Sequence, residues 1–130
     1  MSEGNRYVRL AVFLLAVLFA LCVAAQTYLA GMAVLVDAAH WKDHTSFVHV
    51  FEFVPAAAFI LTFFGRVGGA VRWYSLALFV LVMLQYMTAH IGADAPYVSA
   101  LHPVIAVAMF WLAAATAMRA YRAWRRGSRA

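Results

Sequence analysis

The chain has 130 residues, of which 67% are hydrophobic and only 12% charged, a balance that excludes an ordinary soluble domain and points to the membrane class. Ten Lys and Arg against five Asp and Glu give a formal charge of +5. The basic residues flank apolar runs, so no nucleic acid is indicated as partner. The single cysteine, Cys22, lies inside the first apolar run and excludes an internal disulfide.

In chain order the pattern predicts four spans, over about 8–36, 45–64, 71–90 and 97–124, each near or above the roughly 20 residues that cross a hydrocarbon core. The expected fold class is all-α: one integral membrane domain over 1–130, an up-down-up-down four-helix bundle. Arg6 and Arg9 before an apolar run, with Val23-Ala24-Ala25 further on, mimic a signal peptide. The run continues to Val36, so a retained span is expected. Thr45 or Ser46 is expected to cap the second helix. Gly65, Gly68 and Gly69 break the chain after it, and Gly92 to Pro96 break it after the third.

Nine arginines, at positions 6, 9, 66, 72, 119, 122, 125, 126 and 129, fall on one side of this arrangement, and only Lys42 falls on the other. By the positive-inside rule both termini are expected to be cytoplasmic, in a multi-pass protein of the cell membrane. Trp41, Trp73, Tyr74, Tyr97, Tyr121 and Trp124 fall near the interfaces. The Arg119–Arg129 cluster is expected to anchor the last helix on anionic lipid.

Polar residues within the spans carry the functional signal, because ionisable groups at membrane depth are costly. His49 precedes Arg66 by 17 residues and His102 precedes Arg119 by 17, which places both imidazoles about 25 Å from one boundary. Short loops make consecutive helices neighbours and put the second and fourth on a diagonal. Two imidazoles on diagonal helices leave room for a planar macrocycle, such as a haem with His49 and His102 on its iron. They also suit a plain hydrogen-bonded contact, worth about 0.6 kcal/mol on average between membrane helices. Both readings stand.

Gln26 shares the depth of the two histidines and is placed to hydrogen-bond one of them. Glu52 follows His49 by three on one helical face, with Gln85 at a similar depth. A carboxyl there is expected to be neutral or hydrogen-bonded, in contact with a ligand or with Gln85. Pro55 is expected to kink this helix. His40 and His44, spaced i, i+4, form a weaker candidate metal group with Asp43 or His90. His44 and His49 lie about 140° apart around a helix and are not expected to aim at one point. The first and third spans share a pattern, Gln26 to Gly31 against Gln85 to Gly92. Gln26 precedes His44 by 18 residues, and Gln85 precedes His102 by 17. Two diverged helix pairs would explain this, as would chance in a small alphabet.

Gln26 to Gly31 resembles the Gln-x-x-Leu-Gly-Gly stretch of the haem A synthase family, and Ala100-Leu101-His102 resembles its Ala-Leu-His. The chain as a whole is similar to a family of small, uncharacterised prokaryotic four-helix membrane proteins, through Trp41, His44, His49 and Pro55 and through Leu101-His102-Pro103. The first resemblance implies a bundle with haem-ligating histidines on its second and fourth helices, here His49 and His102. Departures are plain: His49-Val50 replaces a His-Arg pair, Glu52 follows rather than precedes the histidine, and one bundle stands where the synthase has two. Synthase activity is therefore not implied. The expectation is a small b-type-haem-binding membrane protein for electron transfer or haem handling, with haem b held by His49 and His102. Alternatives are a non-enzymatic accessory or scaffold subunit, with a membrane-protein partner or a second copy, and a binder of a lipid-soluble ligand such as a quinone through Glu52 and Gln85.

Overall fold

The computed structural model describes residues 3–127, and every regular element among them is helical. Helix α1 is Glu3–Leu35. A 3-10 turn, Ala38–His40, leads into α2 (Trp41–Phe51) and α3 (Val54–Phe64). Helix α4 is Gly69–Ile91; a second 3-10 turn, Gly92–Asp94, precedes α5 (Pro96–Ser99) and α6 (His102–Gly127). Four stretches are long and apolar enough to cross a membrane: Gly4–Leu35, Ala38–Phe64, Gly69–Ile91 and Pro96–Arg126. Arg129 lies outside the described residues.

Proline divides the second and fourth spans. Pro55 has no N–H to offer the Phe51 carbonyl, and α2 stops at Phe51. Pro103 withholds its N–H from Ser99 in the same way, and α5 stops at Ser99. The expected kink at Pro55 is thus a break at Glu52 and Phe53. The second span also starts earlier than expected. Asp37 caps the 3-10 turn through the Ala39 N–H, at 2.8 Å. The Thr45 hydroxyl, expected to cap the helix, instead donates to the Trp41 carbonyl one turn back, at 3.0 Å.

Helix α1 packs against α2, α3 and α6, and α4 packs against α3 and α6. The second and fourth spans therefore stand on a diagonal, as expected. The α1–α6 contact is the most extensive. On α6 it uses a stripe of small buried residues, Ala113, Thr116, Ala117 and Ala120, which lets the two backbones approach closely. One core cluster gathers Phe19, Val23, Phe51, Leu78, Val82 and Met109; another gathers Val12, Val67, Val71 and Ala120. Buried hydroxyls at Ser75 and Thr116 satisfy themselves on carbonyls one turn back, at 2.9 and 2.7 Å. Thr62 donates to the Phe59 carbonyl at 2.6 Å.

The arginine end of the bundle is tied by one side chain. Arg9 donates to the carbonyls of Gly65 at 3.0 Å, Ala123 at 3.0 Å and Arg66 at 3.2 Å. Three carbonyls, two at the end of the second span and one on the fourth, are satisfied by one guanidinium fork from the first. Arg66 takes the left-handed conformation, with φ 48°, that ends many helices. Gly65 itself has an ordinary φ of −88° and is needed instead for the close approach of Val8.

Candidate functional site at the histidine end

The polar side chains gather at the opposite end, in two groups. The first lies between the diagonal spans. His44, from α2, faces His102, at the start of α6, with ring centroids 6.4 Å apart and planes inclined by 56°. His44 Nδ1 donates to the main-chain carbonyl of Gln26 at 3.0 Å, and the Gln26 side-chain amide donates back to the His44 carbonyl at 2.7 Å. His102 Nδ1 donates to the main-chain carbonyl of Gln85 at 3.2 Å and to Thr88 Oγ1 at 3.2 Å. The Thr88 hydroxyl spends its own proton on the carbonyls of Leu84 and Gln85. The α1–α2 pair and the α4–α6 pair thus repeat one device, a glutamine carbonyl holding a histidine of the next span.

This device fixes the chemistry of both rings. A carbonyl only accepts, so each Nδ1 carries its proton, and in a neutral imidazole the lone pair is left on Nε2. Neither Nε2 is hydrogen-bonded to a described residue. Beside them, Gln26 Oε1 and Gln85 Oε1 are buried with no hydrogen-bond partner. A buried acceptor left unmade costs about 1–3 kcal/mol. Both orphaned acceptors belong to the glutamines whose main chains hold the two imidazoles.

The second group lies on the outer face between α2 and α4. Tyr86 donates a short hydrogen bond to Glu52 Oε2. His49 Nδ1 lies 3.3 Å from Glu52 Oε1 and 3.3 Å from the Tyr86 hydroxyl. Its ring stacks on Tyr86, centroids 6.3 Å apart and planes inclined by 26°. The Glu52 side chain is 15% exposed and that of His49 is 65% exposed. His90 Nδ1 donates to the Tyr86 carbonyl at 2.8 Å.

The expected pairing of His49 with His102 is therefore not the one the structure makes. Equal spacing from an arginine carries no information on the direction a side chain takes around its helix. Residues 44, 47, 48 and 51 form the inward stripe of α2: Phe51 is buried, and Phe47 and Val48 pack on the same core. His49 lies off that stripe and looks outward; as expected, His44 and His49 do not share a target. Gln26 does bond a histidine, but through its main chain and to His44. Glu52 does not meet Gln85; its partner is Tyr86, one residue on, while Gln85 turns toward His102. The expected outer metal group of His40, His44, Asp43 and His90 is not assembled. His40 pairs with Asp43 alone, at 2.8 Å. Among the described residues no three His, Cys, Asp or Glu side chains are grouped to hold an ion. Tyr86 and Thr88 were not singled out from the sequence, although both sit in the repeated stretch after Gln85.

Residues 26–92 match the model of a family of unknown function, DUF6220, over just more than half of the chain. The chain belongs to the DUF6220 family. The matched stretch opens on Gln26 and closes on Gly92. Within DUF6220 limits it holds His44, the whole His49–Glu52–Tyr86 group and Gln85, and leaves out only His102 of the inner pair. No curated protein and no solved structure is detectably similar to this DUF6220 protein.

Proposed function

We propose that this protein is a small b-type-haem-binding membrane protein, with His44 and His102 as the axial pair. The observation that carries the reading is the matched pair of imidazoles, each oriented by a main-chain carbonyl and each keeping its Nε2 lone pair, beside two orphaned glutamine carbonyls. Nδ1–H donation to a carbonyl is the usual way a ligating histidine is oriented and made more basic. The donor set also fits. The two rings, with centroids 6.4 Å apart, are the residues that would hold such a group. Two neutral nitrogen donors without carboxylates suit a haem iron better than a bare hard cation.

Held there by His44 and His102, a haem would supply reversible one-electron transfer. The residues of the chain do the rest. Gln26 and Gln85 hold the rings, Thr88 braces His102, and the apolar cluster around Phe19, Phe51 and Met109 keeps water from the inner side. The haem A synthase resemblance supports ligands on the second and fourth spans and is corrected here to His44 on the second. The positive-inside distribution supports a cell-membrane protein with cytoplasmic termini and the histidine end outward.

A scaffold reading is favoured by one observation: each histidine already fastens a neighbouring helix. Spectra separate the two. Haem-replete expression of the full chain should yield red protein whose reduced-minus-oxidised spectrum is that of a low-spin b-type haem, and His102→Ala should lose it. Colourless, well-folded wild-type protein would leave the scaffold reading standing.

A further inference from the structure

The outer group is independent of the haem site and is a site of another kind. Both Glu52 oxygens accept, one from Tyr86 and one from His49, the bonding pattern of an acceptor-only carboxylate. With Nδ1–H turned to Glu52, His49 presents its Nε2 lone pair away from the bundle, and no described residue occupies it. The side chain is 65% exposed on the second of the four stretches long and apolar enough to cross a membrane. His49 lies eight residues beyond Trp41 and 17 before Arg66, within that stretch. A strong hydrogen-bond acceptor at that depth costs free energy unless a donor meets it.

The donor that meets it has to arrive through lipid. It also has to suit the surface around Nε2. That surface is the imidazole stacked on Tyr86, with exposed Met83 one turn from Tyr86 on α4. A flat aromatic ring with a hydroxyl and an apolar tail matches each feature: the hydroxyl donates to Nε2, the ring lies on the aromatic surface, and the tail stays in lipid.

We propose that His49, oriented by Glu52 and Tyr86, is the lipid-facing binding site for the hydroxyl head group of a membrane-dissolved hydroquinone. The quinone reading drawn from the sequence joined Glu52 to Gln85. The site argued here uses neither Gln85 nor the inner histidine pair, and it does not rest on haem binding.

The test uses purified full-length protein in detergent and the fluorescent hydroquinone mimic heptyl-hydroxyquinoline N-oxide, whose emission falls on binding. Saturable quenching at one probe per chain is expected, displaced by short-chain ubiquinol. His49→Ala and Tyr86→Phe should each weaken it tenfold or more, while His44→Ala leaves it unchanged. Loss of the haem spectrum in His44→Ala with probe binding intact separates this site from the haem reading. Because His49 is exposed, its replacement should leave the thermal melt near wild type; Tyr86→Phe retains the ring and gives a second check on folding. Quenching that rises without saturation, or equally in wild type and His49→Ala, is partition into micelles and overturns the proposal. A His49→Ala protein that falls from a larger to a smaller oligomer also overturns it, because the face would then belong to a second copy.

Discussion

Gly65→Ala tests whether the arginine end is packed as closely as the structure draws it. A Cβ built on Gly65 would lie 2.8 Å from Val8 Cγ1, 3.0 Å from Val67 Cγ2 and 3.1 Å from Val8 Cβ. All three neighbours belong to stiff β-branched side chains. Val67 is buried, and α1 is held in place by the Arg9 bonds to Gly65, Arg66 and Ala123. Neither valine can turn away cheaply, so overpacking should cost about 1–3 kcal/mol. The backbone contributes no strain, because φ at Gly65 is −88°. Val8→Ala removes the 2.8 Å neighbour while costing a little on its own. In the Gly65→Ala background it should therefore restore stability, with a coupling of at least about 0.5 kcal/mol in a double-mutant cycle. The assay is reversible unfolding in mixed micelles, followed by tryptophan fluorescence. Additive losses, or a Gly65→Ala protein as stable as wild type, would refute the close approach.

Glu52→Ala leaves the Tyr86 hydroxyl and His49 Nδ1 without their acceptor and should destabilise by about 1–3 kcal/mol in the same assay, whereas Glu52→Gln keeps an acceptor and should lose less; equal tolerance of both would place the side chain in water or lipid. Arg9→Lys keeps the charge but loses the fork that reaches three carbonyls. It should lower the thermal midpoint measurably, and an unchanged midpoint would contradict the capping role. A C-terminal fusion should be active for a cytoplasmic reporter and silent for an external one, and the reverse pattern would invert the orientation.

The span count and the diagonal arrangement were legible because they depend on quantities a sequence carries: apolar length, breaks at Gly and Pro, and short connections. Face was not. In a soluble helix the polar residues mark the outside, but α2 and α3 present apolar side chains both to the core, as Phe51, and outward, as Val50 and Phe63. A histidine at the right depth therefore looks equally placed on either side. Two signals did carry the face. The stripe 44, 47, 48 and 51 has helical spacing, and the Gln–His intervals of 18 and 17 single out His44, not His49, as the counterpart of His102. The depth comparison, anchored on arginines at the far end, carries no information on face. Tyr86 was hidden for a different reason: a tyrosine near a helix end reads as an interfacial anchor, and only its position opposite Glu52 reveals its use.

His44, rather than His49, is the proposed partner of His102 around a haem. Haem content per chain, measured on haem-replete His44→Ala and His49→Ala proteins purified side by side, tests it most directly. His44→Ala is expected to lose its haem while His49→Ala keeps one per chain. Haem lost from His49→Ala and retained in His44→Ala would contradict it.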